Sequence, residues 1–386
     1  MDFELQWLLL GLPIAFGLGW LASRLDFRQW RREQTDAPKA YFKGLNLLLN
    51  EQQDKAIDAF IEAVQRDPDT LDLHFALGNL FRRRGEYERA VRVHQHLLGR
   101  ADLPQAERDR ARHALAQDFM KAGLFDRAEE SFAALEGTPF DTEARLALLT
   151  LHERSRDWRA AVDVAGKLER SGTGSFASRI AHYWCEIALE ADARDPRSPE
   201  ADDALRRARE AAPQAPRPLL MAGERALSRG EHAAALAAFG ELMTGHPAAF
   251  NLVARDYAAS ARDSGDGPAA MQRLRALHQR TPTIELLEAI DLLDPDPQRC
   301  RERRLAHLRR HPTLSAAQAV LATAADAPAG IAPGDAAALH DAVARAARPL
   351  QRYRCAACGF EAEHYFWQCP GCQSWDSYPS RRIEDE

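Results

Sequence analysis

Six alanines recur along this chain at nearly constant intervals, and that recurrence limits its fold more than any other feature. Ala56, Ala90, Ala128, Ala161, Ala204 and Ala235 are spaced 34, 38, 33, 43 and 31 residues apart. A period near 34 residues with small residues at fixed offsets marks tetratricopeptide helix pairs. In the first copy Gly44, Ala56, Phe60, Ala63 and Pro68 fall at positions 8, 20, 24, 27 and 32 of the repeat. The second carries Leu77, Gly78, Phe81, Gly85 and Ala90, and the third Leu115, Ala116, Phe119, Gly123, Ala128 and Phe132. The fourth keeps Leu148, Ala161 and Leu168, the fifth Ala204, Ala208, Ala211 and Pro216, and the sixth Gly223, Gly230, Ala235, Phe239 and Pro247. Small residues at positions 8 and 20 let two antiparallel helices approach closely. Larger ones at 24 and 27 fill the gap to the next pair, and a proline near 32 stops the second helix. One pair cannot bury its own apolar face, so pairs must stack. The 43-residue step holds Asp195, Pro196, Arg197, Ser198 and Pro199, a loop insertion. After Pro247 the pattern fades. Residues 249–277 and 284–311 still read as helix pairs, and 314–347 as an alanine-rich stretch broken near Pro328 to Gly334; these are expected to be degenerate repeats.

The two ends follow different rules. From Leu5 to Ala22 the chain is apolar apart from Gln6, with Trp7 and Trp20 near the ends of the stretch. A helix of that length spans about 27 Å, close to the ~30 Å hydrocarbon core of a bilayer, and indoles favour its interfaces. Asp2 and Glu4 stand where a cleaved signal peptide would carry basic residues. Arg24, Arg28, Arg31 and Arg32 follow the segment, and no Lys or Arg precedes it. The positive-inside rule therefore predicts a single-pass anchor with everything after residue 23 in the cytoplasm.

At the other end Cys355, Cys358, Cys369 and Cys372 form the pattern C-x2-C-x10-C-x2-C. Each C-x-x-C turn can present two thiolates on one side, and two such turns close a tetrahedral S4 site for one zinc or iron ion. Four clustered thiols persist as metal thiolates most easily in a reducing compartment, in agreement with the cytoplasmic side. Tyr353, Phe360, Tyr365, Phe366, Trp367, Trp375 and Tyr378 are the available mini-core. So short a module depends on its metal for folding energy. His364 reads as a surface residue, since four thiolates already fill the site.

Elsewhere the sequence carries no sign of catalysis. The net charge of −6, from 51 basic and 57 acidic residues, gives no argument for nucleic-acid binding. No phosphate-cradling glycine loop appears. His152 and Glu153 begin a zincin-like pair, but Arg156 occupies the second histidine position. Cys185 reads as a packed helix residue rather than a nucleophile. The expected activity is therefore binding. In this repeat architecture the first helix of each pair lines the concave face. That register selects Asn79, Arg82 and Arg83 in the second repeat and Arg110, His113, Gln117 and Lys121 in the third. They are expected to face solvent, either as a solvated face or as a groove for an acidic or polar partner segment.

Anchor, repeats and ribbon in this order resemble the lipopolysaccharide assembly protein B family of Gram-negative bacteria. The specific pieces are the runs Asn50 to Ala56 and Leu77 to Arg82, and Tyr353 with the ribbon that follows. The chain departs from the family pattern at Asp192 to Pro199 and over 314–347. The resemblance implies an all-α tetratricopeptide-repeat superhelix with an N-terminal transmembrane helix and a small C-terminal rubredoxin-like zinc ribbon packed on the repeats. The corresponding domains are an anchor at 1–23, a basic juxtamembrane linker at 24–36, a repeat array at 37–347, and the ribbon with its tail at 348–386. It implies an inner-membrane adaptor, not an enzyme, that promotes degradation of the lipid A pathway deacetylase by an ATP-dependent membrane metalloprotease. It further implies opposition by a lipopolysaccharide-sensing inner-membrane protein, and leaves a homodimer open. A non-proteolytic scaffold for lipopolysaccharide assembly enzymes shares every one of these features. An electron-transfer protein with an iron ribbon is a third reading, which visible absorbance would reveal.

Overall fold

The computed structural model describes residues 42–47, 49–50, 52–66, 69–322 and 333–385, with the single positions 16 and 20 besides. The expected anchor and linker otherwise lie outside the described residues. Among the described residues no helix is long and apolar enough to cross a membrane. The chain divides into two compact units that meet in sequence between Arg156 and Asp157.

In the first unit the principal helices are α1 (Gln53–Arg66), α2 (Leu71–Arg84), α3 (Tyr87–Leu98), α4 (Gln105–Ala122), α5 (Phe125–Ala133) and α6 (Asp141–Ser155). The second carries α7 (Trp158–Arg170), α8 (Ala177–Arg194), α9 (Pro199–Ala211), α10 (Pro216–Ser228), α11 (His232–Gly245), the short α12 (Pro247–Phe250), α13 (Ala254–Asp263), α14 (Gly267–Arg280), α15 (Ile284–Leu293), α16 (Pro297–Arg310), α17 (Leu314–Ala322) and α18 (Pro333–Ala347). Local chemistry sets the boundaries. Proline opens α9, α10, α12 and α16, where a missing N–H costs nothing. Gly85 closes α2 in the left-handed region, φ 84°, and returns its N–H to the carbonyls of Phe81 and Arg82.

Each anchoring alanine is sealed: Ala56, Ala90, Ala128, Ala161 and Ala235 are 0% exposed and Ala204 1%. The second contact of the pair is equally regular. A Cβ added to Gly44, Gly78 or Gly223 would collide with the ring of Phe60, His94 or Phe239 respectively, each sixteen residues further on. The position-24 ring thus lies flat on the position-8 glycine and lets the two backbones close up. Gly223→Ala is expected to destabilise the second unit by about 1–3 kcal/mol through overpacking. Gly240, in the middle of α11, has open space around it, so Gly240→Ala is expected to gain about 0.5–1 kcal/mol from helix entropy. Thermal melts of the two variants check the contrast; equal melting temperatures would refute the packing account.

The expectation of degenerate repeats after Pro247 needs correction for the pair α13–α14. Ala258, Ala270, Leu274, Leu277 and Pro282 hold the same offsets, Ala270 follows Ala235 by 35 residues, and the first four are at most 3% exposed. The pair α15–α16 does depart. There Cys300 stands near the alanine position, and polar pairs replace apolar core. Asp291 and Asp294, nearly sealed from solvent, bind Arg303 and Arg304, and Arg303 and Arg299, respectively. Buried carboxylates need such partners. Beyond α18 a two-stranded antiparallel ribbon pairs β1 (Tyr353–Arg354) with β2 (Glu361–Ala362), Tyr353 opposite Ala362.

Candidate metal centre

The hairpin register delivers the cysteines. β1 runs directly into Cys355, whose N–H donates to the Phe360 carbonyl at 2.9 Å, and the Gly359 N–H returns to the Cys355 carbonyl at 2.8 Å. The second knuckle repeats the arrangement: Cys369 N–H to the Ser374 carbonyl at 2.9 Å, and Gln373 N–H to the Cys369 carbonyl at 2.8 Å. Both turns need a left-handed residue after the second cysteine. Glycine supplies it at Gly359, φ 76°, whereas Gln373 adopts it at φ 60°. The two turns face each other with Sγ–Sγ separations of 3.8 Å for Cys355–Cys372 and 3.7 Å for Cys358–Cys369, and all four sulfurs lie within 4.8 Å of one another. A tetrahedral ion with metal–sulfur bonds of ~2.3 Å sets neighbouring sulfurs about 3.8 Å apart. The four-cysteine cluster therefore fits one metal ion as it stands.

The electrostatics favour one. Four sulfurs this close cannot all be anionic without a cation among them, and the thiols diverge. Burial works to raise Cys355, but hydrogen bonds from the Ser377 hydroxyl and the Cys358 and Ala357 amides outweigh it and bring it to about 6. Hydrogen bonding by the Ser374 hydroxyl and amide lowers Cys372. The Phe360 amide favours an ionised Cys358, yet burial and the neighbouring sulfurs push that thiol up to about 12. Cys185 is a different case: burial in α8 raises it to about 12, as suits a packed, inert thiol.

The ribbon is not a free appendage of the second unit. Trp375 stacks on His182 of α8, centroids 4.7 Å apart at 17°, with Trp158 and Tyr183 edge-on at 6.2 and 6.0 Å. Asp376 accepts from His182 Nε2 at 2.8 Å and from the Ser178 hydroxyl at 2.8 Å. Burial opposes ionisation of Asp376, but these bonds and the Arg217 charge hold its carboxyl below the usual range. Buried Arg217 in turn binds Glu186 at 2.6 Å and lies 3.3 Å from His182 Nδ1. On the tail, Arg382 pairs with Glu285 at 3.0 Å, and the Glu384 carboxylate caps α17 by accepting from the Ser315 N–H at 3.1 Å. Trp375, expected in the ribbon's own core, contributes to this junction instead, while Trp367 does both, packing on Tyr365 of the ribbon at 5.0 Å and meeting His182 at 5.9 Å. His182, Arg217 and Ser178 were not legible as site residues, because nothing in sequence ties α8 to a knuckle nearly two hundred residues away. His364 is exposed.

The seven residues expected on a concave face behave unequally within the first unit. Asn79, Arg83 and Lys121 are exposed. Arg82 is not: its side chain is 16% exposed and binds Asp118, itself sealed, at 2.7 Å, and the Ala114 carbonyl at 3.1 Å. The expectation that Arg82 faces solvent is corrected accordingly. Arg110 pairs with Asp72 at 2.9 Å and covers the Phe75 ring at 4.1 Å. His113 and Gln117 are half-buried and lie 3.4 Å apart, and His113 stacks on Phe140 at 5.0 Å. Burial lowers the His113 pKa. The structure thus joins Asn79 to Arg82 and His113 to Gln117, with Arg110 tied down separately.

The rubredoxin metal binding domain family matches residues 353–378, and the tetratricopeptide repeat family matches 73–109. Lipopolysaccharide assembly protein B of Escherichia coli strain K12 is 32% identical over 379 residues, 97% of each chain. The protein of the same name from Haemophilus influenzae is 27% identical over 390 residues, again 97% of each. Among solved structures, a tetratricopeptide repeat protein from Parabacteroides merdae aligns over 67% of this chain and 98% of its own at 15% identity, with a TM-score of 0.34. Repeats, ribbon and identity across nearly the full length of the relatives lead to one conclusion: the chain belongs to the lipopolysaccharide assembly protein B family.

Proposed function

We propose that this chain is an inner-membrane adaptor that regulates lipopolysaccharide synthesis by promoting degradation of the lipid A pathway deacetylase by an ATP-dependent membrane metalloprotease. The observation that carries this reading is the 32% identity over 97% of both chains to a protein named for lipopolysaccharide assembly. In this reading residues 5–22 form the anchor, the N-terminus is periplasmic and the remainder faces the cytoplasm. The repeats hold one partner, and the docked ribbon extends their surface. Bringing protease and substrate together raises effective concentration without chemistry by the adaptor itself. Of the seven candidate residues in the first unit, Asn79, Arg83 and Lys121 are exposed and so available to a partner. A lipopolysaccharide-sensing inner-membrane protein opposes the adaptor in the same scheme.

The word "assembly" in the relatives' name equally suits a second reading, a scaffold for lipopolysaccharide assembly enzymes with no part in turnover. The deacetylase half-life, measured in cells with and without this chain, separates the two. An adaptor shortens it several-fold when present. An unchanged half-life rejects the adaptor and leaves the scaffold.

A further inference from the structure

Three histidines of the second unit gather away from the cysteine ribbon. His278 lies in the last turn of α14, His307 in the last turn of α16, and His311 caps that helix. His307 and His311 are four residues apart, the spacing that sets two imidazoles on one face of a helix. Ring centroids are 5.4 Å apart for His278–His307 and 5.2 Å for His307–His311. An imidazole nitrogen ~2.0–2.1 Å from a tetrahedral ion puts its ring centroid ~3.2 Å from it, so two liganding rings sit about 5.2 Å apart. His307 thus stands at that spacing from each of the other two rings. All three line a cavity of about 450 Å³ between α14, α15 and α16. His307 is 6% exposed, and its Nδ1, like Nε2 of His278, is buried with no hydrogen-bond partner. Two unpartnered, buried ring nitrogens on residues that line one cavity are costly unless they gain a partner.

We propose that His278, His307 and His311 form a second metal site, taking one zinc-class divalent transition ion with its fourth coordination position open to the cavity. Protonation chemistry favours the ligand role. Burial, and then the charges of His278 and His311, hold His307 down at about 4, and burial lowers His278. Both rings are neutral at pH 7, with a lone pair free to bind a metal. The site also lies at two helix C-termini, the negative ends of their dipoles. Nearby cations act against it. Arg303 is neutralised by Asp291 and Asp294, and Arg275 stands 4.0 Å from Asp294. Arg310 is exposed, where solvent screens its charge. Among the described residues the four cysteines alone have donor atoms already converged. The histidines need side-chain rotation to aim their nitrogens, and the cavity leaves room for it. The alternative occupant is an anion such as phosphate, drawn by the same arginines.

The test is metal content of the purified full-length chain after equilibrium dialysis against micromolar free Zn2+. The wild type is expected to hold one ion more than His307→Gln or His311→Gln, with the ribbon ion retained in all three. Cys355→Ser is expected to keep the histidine-bound ion. Thermal melts of the ribbon-loaded proteins before dialysis verify that both histidine variants fold, and the half-buried His311 guards against a folding defect at His307. Equal metal content in wild type and His311→Gln would overturn the proposal. A melting temperature raised by inorganic phosphate but not by Zn2+ would also overturn it, in favour of an anion site.

Discussion

Arg82→Ala is expected to destabilise the first unit by about 3–5 kcal/mol, the range found when one partner of a buried ion pair is removed. Asp118 is fully buried, and its carboxylate is held by Arg82 on one oxygen and by His94 Nδ1 on the other. His94 occupies the position where other repeats carry Phe60, Phe132 or Phe239, and its ring lies on Gly78. The second repeat has thus replaced a phenylalanine by a histidine, and that histidine requires an acid on α4 and a cation on α2. Truncating Arg82 removes the cation and leaves the buried acid with His94 alone. Arg83 is the neighbouring control: it is exposed, and its removal should stay within about 0.5 kcal/mol. Hydrogen exchange over residues 71–122 reads the effect locally, free of the second unit's unfolding. Equal protection in the two variants would refute the buried-pair account.

Cys355→Ser is expected to release the ribbon metal and unfold residues 353–378. A structural zinc contributes on the order of 10–16 kcal/mol to a module of this kind, more than its small aromatic core can replace. The consequence should reach the repeats, because Trp375 and Asp376 would leave α8 and strip His182 and Arg217 of ribbon contacts. Metal content and tryptophan fluorescence measured together follow both steps. A serine variant that keeps stoichiometric ribbon metal and native fluorescence would contradict the ligand assignment.

Much of the fold was legible because two of its devices are local. A small residue at a fixed offset reports close helix packing, and every anchoring alanine is sealed as that rule requires. Two C-x-x-C turns report a tetrahedral site, and their sulfurs stand at the required spacing. What periodicity could not supply is where a polar residue on a helix finds its partner. Arg82 looks like an exposed arginine until Asp118, thirty-six residues on, is folded beside it. The pair α15–α16 departs from the alanine pattern because ion pairs of Asp291 and Asp294 stand in place of apolar core there. The ribbon's junction with α8 joins His182 to Asp376, 194 positions apart in sequence, and to Trp375 through an aromatic stack, and no local pattern encodes either contact.

The adaptor role is tested most directly by reconstitution. Protease and deacetylase are placed together in a lipid bilayer with ATP, and the deacetylase degradation rate is measured with and without this chain. Degradation should accelerate several-fold when the chain is present, and Cys355→Ser should lose most of that acceleration while adding no activity of its own. A rate unchanged by the wild-type chain would contradict the adaptor role.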